Sequence, residues 1–273
     1  MTVRCGIRTV RRVRFAEPAL RFVACAAALA ACVAASAGLH AQGRGAAAAA
    51  PPTARAMAPI DLTGYWVAVI SEDWRWRMVT PARGDYASIP LNVAGKNLAD
   101  TWDPAKDEAA GEQCKSYGAP GLMRGPTRLR ISWLDDATLK LETDYGMQTR
   151  LLQFRPARTA ASAALSLQGV TTAQWVMAGG GRGRGGAPPR GSMKSMTSRL
   201  RPGYLRKNGV PYSANTVFTE YWDVVPGPGG SQWLVVTNTV EDPANLQIPW
   251  VTSVHFKKEP DGAKWHPVAC KPA

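Results

Sequence analysis

The fold is decided by the stretch Asp61-Leu62-Thr63-Gly64-Tyr65-Trp66-Val67-Ala68-Val69-Ile70. Its side chains alternate with a period of two. As a strand it would therefore carry one aromatic ring on each face, Trp66 on one and Tyr65 on the other. This pattern is typical of a half-buried β-strand. Gly64 would let another backbone or a ring approach closely. We therefore interpret the stretch as the first strand of a β-rich domain.

The chain upstream of this strand has the pattern of an export signal. Residues 1–21 carry six Arg against the single acid Glu17, and residues 22–39 are almost entirely apolar. Ala41 follows as a small residue suited to cleavage. A basic segment, an apolar segment and a small residue in this order predict a signal peptide over residues 1–41, and hence a periplasmic or secreted protein.

Two further features concern the processing of the leader and the segment that follows it. Leu29-Ala30-Ala31-Cys32 has the shape of a lipoprotein cleavage box, so lipidation of Cys32 is the alternative to cleavage near Ala41. Residues 42–59 are dominated by Ala, Gly and Pro and contain no aromatic residue. We expect them to form a disordered tether ahead of one domain over residues 60–273.

Charge and cysteine usage fit an exported protein. The full chain has a net charge of +13, and removing the leader with its six Arg and one Glu leaves +8. This surplus allows peripheral contact with an anionic envelope surface, although a solvated basic face is the favoured explanation. Cys114 and Cys270 are the two cysteines outside the leader. An oxidising compartment predicts that they form a disulfide, and two free thiols are the alternative.

The remaining chain consists of short alternating segments punctuated by turns. The clearest is a hairpin in which residues 128–133 and 138–142 flank an Asp-Asp turn. About nine such strands and one short helix, beginning after Asn92, predict an all-β antiparallel meander that closes into a barrel or a curled sheet. Residues 179–192 are rich in Gly and Arg and predict a flexible surface loop. Arg-Gly repeats also occur in RNA-binding tails, but export makes a nucleic-acid partner a poor interpretation.

The segment Trp74-Arg75-Trp76-Arg77-Met78 is a candidate ligand wall. As a strand it would place Trp74, Trp76 and Met78 on one face and both arginines on the other. Arg binds carboxylate or phosphate and stacks on aromatic rings. The alternative is a strand with tryptophans in the core and arginines in water.

A second candidate for the ligand mouth lies around an Asn-Gly turn. Arg201, Tyr204 and Arg206 stand close together there, within a run of basic residues that contains no acid. The alternative is an edge hairpin that its charges keep soluble.

Glu220 lies between Phe218 and Trp222 on one strand face, which is unusual for a core. It predicts either an Arg partner or a polar anchor inside a barrel. Paired with His255, Glu220 would be the general acid or base of a hydrolase or isomerase. Strand parity places the two on different faces, which argues against this. The chain carries no nucleophile elbow, Cys-His pair, phosphate loop, dinucleotide fingerprint or metal-ligand spacing, and so predicts no cofactor and no metal.

Two resemblances follow from these residues. Gly64-Tyr65-Trp66 resembles the opening of lipocalin-like (calycin) barrels, where the Trp plugs the closed end. Residues 61–270 resemble a family of exported β-rich proteins from environmental bacteria. That broader resemblance rests on the regions around Cys114 and Trp175, on Phe218-Thr219-Glu220-Tyr221, on Val240-Glu241-Asp242-Pro243, on Pro249-Trp250 and on Cys270. It implies export and a β-rich fold, and no activity that can be assigned to residues.

The sequence therefore favours a monomeric, lipocalin-like protein that binds a small, partly apolar and anionic ligand. A catalytic barrel and a structural accessory of an envelope complex are the alternatives. The predicted ligand-binding residues are Trp66, Trp74, Arg75, Trp76, Arg77, Arg201, Tyr204, Glu220 and Trp222.

Overall fold

The computed structural model of the chain describes residues 50–155, 162–178 and 191–271. The described residues from 52 onward belong to one compact unit. Their strands are β1 Gly64–Val69, β2 Arg128–Asp135, β3 Thr138–Thr143, β4 Tyr145–Gly146, β5 Thr149–Gln153, β6 Val170–Met177, β7 Gly191–Ser198, β8 Gly203–Arg206, β9 Val210–Tyr212, β10 Val217–Pro226, β11 Gln232–Glu241, β12 Trp250–Glu259 and β13 Val268–Ala269.

The helices of the described chain are short. They are α1 Trp74–Met78, α2 Val93–Asp100, α3 Pro104–Ala109 and α4 Ala119–Leu122, with 3₁₀ turns at Lys115–Tyr117 and Pro228–Gly230. The predicted helix after Asn92 is α2, and the Asn92 side chain accepts a hydrogen bond from the Gly95 N–H, which caps its first turn. Within residues 50–155, 162–178 and 191–271, no helix is both long and apolar enough to cross a membrane.

Nine of the described strands form a closed barrel. Their order around it is β1-β2-β3-β5-β6-β7-β10-β11-β12, which follows the chain, and β12 returns to β1 with Tyr65 opposite Glu259. The all-β prediction and the closure of the meander into a barrel are confirmed.

One neighbouring pair in the barrel is parallel. Strands β5 and β6 align with Leu152 opposite Thr171, and every other neighbouring pair in the barrel is antiparallel. An odd number of strands cannot alternate in direction all the way round a closed ring. Nine strands therefore require at least one parallel pair, and this fold places it at the connection that spans residues 154–169.

The barrel interior is filled by side chains from every wall. The buried barrel cluster comprises Leu62, Trp66, Met123, Leu129, Ile131, Leu139, Leu141, Leu152, Ala173, Met193, Trp222, Leu234, Val236, Val254 and Phe256. Small barrels are commonly packed in this way, with alternate residues of each strand pointing inward. Trp66 is fully buried, and its Nε1 donates to the Leu62 carbonyl oxygen at 2.9 Å.

A second buried cluster lies beneath the helices and the β8–β9 hairpin, which together we call the cap. Its members are Tyr86, Ile89, Ala99, Ala119, Leu200, Leu205, Val210, Tyr212, Phe218, Val240, Leu246 and Trp250. Strands β10 and β11 contribute to both clusters, since Phe218 and Val240 belong to the cap cluster while Trp222 and Val236 belong to the barrel cluster.

A polar layer separates the two clusters inside the barrel. Arg150 donates to both carboxylate oxygens of Glu220, at 2.9 and 2.5 Å, and neither side chain is exposed. Ser195 also donates to Glu220 at 2.9 Å and accepts from the Trp222 Nε1 at 3.0 Å. Thr197 accepts from Arg150 at 3.3 Å. Buried charges persist where they are paired and hydrogen-bonded. Here the charges are paired and both Nη atoms of Arg150 are bonded, while its Nε has no acceptor among the described residues.

The C-terminal part of the described chain is tied to the cap by a disulfide. Cys114 and Cys270 are bonded, with their Cα atoms 5.2 Å apart, which confirms the predicted pair. Just before Cys270, the short strand β13 pairs in parallel with β4, placing Val268 opposite Tyr145. The bridge and the short strands therefore hold Tyr145 beside the cap.

The prediction of a strand at Trp74–Met78 is wrong, because this segment is the helix α1. An alternation of only five residues does not distinguish a period of two from one of 3.6. Asp73 adopts a left-handed conformation (φ 54°) and turns the chain into the helix. Trp74 and Met78, four residues apart, consequently share a solvent-facing side, at 62% and 54% exposure.

Several predicted segments lie outside the described residues. These are the signal peptide with Cys32 and Ala41, residues 42–49 of the tether, and residues 179–190 of the loop. The last two residues predicted for that loop, Gly191 and Ser192, instead begin β7. Near the tether's end, the Trp175 Nε1 donates to the Ala54 carbonyl oxygen at 2.7 Å and the Arg55 N–H donates to the Asp136 carbonyl oxygen at 3.1 Å.

Candidate functional site

Basic side chains converge on a pocket at the side of the cap. We call it the arginine pocket, and it comprises the basic residues Arg77, Arg124, Arg206 and Lys207 and the aromatic residues Trp76, Tyr117 and Tyr145. Its volume is about 30 Å³. This is room for a small anion or a few water molecules, whereas whole drug-sized ligands occupy about 300–1,000 Å³.

Three separate elements bring the four cations together. Helix α1 supplies Arg77, the turn after α4 supplies Arg124, and Arg206 and Lys207 lie where β8 ends. The Asn-Gly turn that follows is held in place because the Asn208 Nδ2 donates to the carbonyl oxygens of Ala82 and Asp85, at 3.0 and 2.9 Å.

Two of the cations have a carboxylate partner. Arg77 donates through Nη1 to Glu72 at 3.2 Å and through Nε to the Arg124 carbonyl oxygen at 2.8 Å. Arg124 donates to Asp73 at 2.9 Å. The Arg77 Nη2 is buried and has no acceptor among the described residues. The pairing of Arg77 is therefore incomplete.

The other two cations are without a carboxylate partner in the described chain. Arg206 donates to the carbonyl oxygen of Ala87 at 2.9 Å and to the hydroxyl of Ser88 at 3.2 Å. Its guanidinium stacks 5.3 Å from the Trp76 ring. Lys207 contacts rings instead, with its ammonium 4.9 Å from the centre of Tyr145. Four positive charges thus face two paired negative charges.

Burial and mutual repulsion make this arrangement costly. Arg77, Arg124 and Arg206 are only 5–7% exposed. Burial, followed by the positive charge of Arg124, lowers the pKa of Arg77 to about 10, and the same two causes lower the pKa of Arg206 to about 10. Both groups stay protonated at neutral pH. The folded protein therefore carries uncompensated positive charge at a partly enclosed surface.

Aromatic rings form the opposite wall of the pocket. Tyr117 and Tyr145 pack with their ring centres 5.1 Å apart. Gly146, at φ +80°, permits this contact, because a Cβ there would come within 2.2 Å of the Tyr117 ring. Burial raises the pKa of both tyrosines, so they remain neutral hydrogen-bonding groups over the physiological range.

The predicted site residues are divided among several places. Trp76 and Arg77 lie in the arginine pocket together with Arg206. Trp74 and Arg75 are outside it, where Trp74 is exposed and Arg75 pairs with Asp85. Arg201 forms an ion pair with Glu112 at 2.6 Å, and Tyr204 donates to Asp107 at 2.7 Å in a neighbouring cleft.

The remaining predicted residues lie inside the barrel. Trp66, Glu220 and Trp222 are fully buried. The Arg partner expected for Glu220 is Arg150. The carboxylate of Glu220 is thus held within the polar layer and shares no pocket with Trp76 or Arg77.

The residues of the alternative acid–base pair do not converge. His255 lies between the buried residues Val254 and Phe256, and its Nδ1 instead contacts a carboxylate oxygen of Glu72. Across the described ranges, no cluster of three or more His, Cys, Asp or Glu side chains is arranged to hold a metal ion. The arrangement that remains chemically distinctive is the arginine pocket.

Sequence reasoning missed four residues of this pocket. Tyr117, Arg124 and Tyr145 come from segments that are distant along the chain from Trp76 and Arg77, whereas Lys207 directly follows the predicted Arg206. Arg124 carried a usable signal, since it is the one charged residue in the Gly/Pro-rich segment 118–126. Arg150 was also missed, although it has the same strand parity as the buried Leu152.

Comparisons of the chain with protein-family models, with curated proteins and with solved structures return no match. The resemblances to lipocalin-like barrels and to exported bacterial proteins therefore stay predictions.

Proposed function

We propose that the protein binds a small ligand through an oxyanion group, a carboxylate, phosphate or sulfate, held in the arginine pocket. One observation carries this proposal: four buried or partly buried cations surround one opening, and they have two carboxylate partners. A bound anion would compensate that charge. Guanidinium groups are suited to this role because their planar donors match carboxylate and phosphate oxygens.

The size of the pocket limits which part of a ligand can enter it. A volume of about 30 Å³ accommodates the anionic head of a ligand rather than its whole body. Trp76, Tyr117 and Tyr145 line the same opening and offer ring faces to any apolar group attached to that head. The partly apolar, anionic ligand favoured by the sequence fits these walls.

We also propose that binding takes place outside the cytoplasm, after removal of the signal peptide near Ala41 or lipidation at Cys32. The basic and apolar leader supports this, as does the disulfide between Cys114 and Cys270, since disulfides persist in oxidising compartments. A relationship to lipocalin-like proteins is part of the same proposal and is supported by the Gly64-Tyr65-Trp66 motif on the first barrel strand.

The test is calorimetric titration of the mature protein with inorganic sulfate, inorganic phosphate, acetate and benzoate. The informative variant is Lys207→Gln, because Lys207 contacts two rings and forms no ion pair among the described residues. We expect the affinity for the best anion of the panel to fall about tenfold, the usual effect of losing one charge-assisted contact. Raising the ionic strength should weaken binding further.

The matched control is Lys194→Gln. Lys194 also places its ammonium over a tyrosine ring, 5.5 Å from the centre of Tyr221, but lies on β7 away from the pocket. Its affinity for the anion should equal that of the unmodified protein. Absence of binding by every anion of the panel, or equal losses in both variants, would contradict the proposal.

A further inference from the structure

A second, larger opening lies between the helices of the cap and the β8–β9 hairpin. We call it the Trp102 cleft, and its volume is about 320 Å³, within the range of small-molecule sites. Its lining includes Leu98, Trp102, Pro202, Tyr204, Pro211 and Tyr212. Three aromatic rings and two prolines give it flat, apolar walls.

The charges around the Trp102 cleft are paired with one another. Lys115 contacts Asp107 at 2.7 Å, and the Tyr204 hydroxyl donates to the same carboxylate at 2.7 Å. Lys106 lies 3.7 Å from Asp103. Two lysines thus face two aspartates, so the cleft offers no uncompensated charge. This balance favours a neutral occupant, in contrast to the arginine pocket.

Two polar groups of the cleft residues have no hydrogen-bond partner among the described residues. They are the Nε1 of Trp102 and the hydroxyl of Tyr212, both of which are buried. The Tyr212 hydroxyl lies beside Gly203, where a Cβ would come within 2.6 Å of it. A buried donor without an acceptor is unfavourable, so an acceptor brought by a ligand would relieve that cost.

We propose that the Trp102 cleft is a second binding site, for a neutral, flat aromatic compound that carries an oxygen acceptor. The rings of Trp102 and Tyr204 supply faces for such a compound, whereas Tyr212 is only 1% exposed. The unpartnered indole N–H is itself buried in this structure, so it would supply the donor for that oxygen after the Trp102 ring turns toward the cleft. This site is separate from the arginine pocket and does not depend on the anion proposed there.

The test is calorimetric titration with 2-acetylnaphthalene, a neutral two-ring ketone. Leu98→Arg places a long charged side chain at the cleft from an already exposed position (53% exposed). We expect this variant to lose at least tenfold in affinity. Val93→Arg is the matched control, because Val93 is 76% exposed on the same helix and does not line the cleft. Its affinity should be unchanged.

Ligand analogues test the hydrogen bond separately from the apolar contact. We expect 2-ethylnaphthalene, which lacks the oxygen, to bind about tenfold more weakly than 2-acetylnaphthalene. The indole N–H resonance of Trp102, assigned through Trp102→Phe, should move further downfield when the ketone binds than when the hydrocarbon binds, because only the ketone accepts a hydrogen bond from it. Equal affinities of the ketone and the hydrocarbon would overturn the role of the acceptor.

Three results would overturn the site itself. They are no binding of either naphthalene compound, equal affinities in Leu98→Arg and Val93→Arg, and tighter binding of the anion 2-naphthoate than of the ketone. Lys207→Gln separates the two proposals, since it should weaken anion binding and leave the ketone affinity unchanged. Failure of anion binding with intact ketone binding would remove only the arginine pocket proposal.

Discussion

Buried arginines occur in two regions of this protein, and the two regions differ in the carboxylate partners that they provide. Inside the barrel, Arg150 meets both oxygens of Glu220, and Thr197 accepts a further bond from it, while its Nε has no acceptor among the described residues. In the arginine pocket, Arg77 likewise leaves Nη2 without an acceptor, but here Arg206 has no carboxylate partner among the described residues. Burial is nearly the same in both places, at 1% exposure for Arg150 and 5–7% for the pocket arginines.

The barrel pair and the arginine pocket therefore differ in how the arginine charge is compensated, and hardly in burial. The Arg150–Glu220 pair neutralises itself within the polar layer, so we infer that it stabilises the barrel. The pocket keeps a net positive charge and lies at the surface, where the proposed anion would balance that charge. The comparison predicts that mutations in the barrel pair alter folding, whereas mutations in the pocket alter binding.

The largest expected effect follows from removing the negative member of the barrel pair. Glu220→Gln would leave Arg150 charged and unpaired in the interior. We expect the free energy of unfolding to fall by about 3–5 kcal/mol, measured by urea denaturation followed by tryptophan fluorescence.

The control for this prediction is Glu142→Gln, which breaks a partly exposed ion pair with Arg130 on neighbouring strands. Its cost should stay below about 1 kcal/mol. Replacing both barrel partners, with Arg150→Met and Glu220→Leu, should recover most of the stability lost in Glu220→Gln. Equal stability losses for Glu220→Gln and Glu142→Gln would remove the distinction between the two regions.

An intermediate effect concerns the pH dependence of anion binding. Arg77 and Arg206 lose their protons as the pH rises through about 10, well below the usual range for arginine. A bound anion favours the protonated forms, so the affinity for sulfate should be constant between pH 8 and 9. Above pH 10 it should fall, by up to about tenfold per pH unit for each group.

Calorimetric titrations with sulfate at constant ionic strength would measure this fall. Sulfate is the suitable probe because its own charge does not change over this range. An affinity that stays level up to pH 11, in protein shown to be folded by circular dichroism, would contradict the prediction that a loss of protons from Arg77 and Arg206 near pH 10 weakens binding.

The smallest expected effect is on the stability of the pocket variant. Lys207→Gln removes a cation that repels its neighbours and forms no ion pair among the described residues. We expect its free energy of unfolding to change by no more than about 0.5 kcal/mol, as is usual for surface substitutions. The same denaturation experiment used for Glu220→Gln would measure it, and a loss of 2 kcal/mol or more would assign Lys207 to the fold instead.

The barrel was predictable because its signals are local. Alternating strands and turn residues specify neighbouring pairs along the chain, and a meander needs no information beyond that order. The position of Glu220 between Phe218 and Trp222 predicted either an Arg partner or a polar anchor inside a barrel, and the structure shows the Arg partner. Its partner was not predictable, because β5 and β10 are not neighbours in the barrel and meet only across its interior.

The arginine pocket was predictable only in part. Trp76 and Arg77 were identified, but through a strand that proved to be a helix. Tyr117, Arg124 and Tyr145 come from turns and a two-residue strand whose positions depend on how the cap packs and on the disulfide. No local pattern in the sequence encodes such a contact between distant segments.

Closure of the barrel through Tyr65 and Glu259 also bears on how the chain folds. Strand β1 pairs with β12 on one edge. That edge has no partner until β12 has been synthesised, when nearly all of the domain is present. Contacts between residues so far apart along a chain slow the search for the native state. Open strand edges meanwhile pair readily with other chains. A chain cut before β12 should therefore aggregate, and the barrel can close only after β12 has been synthesised.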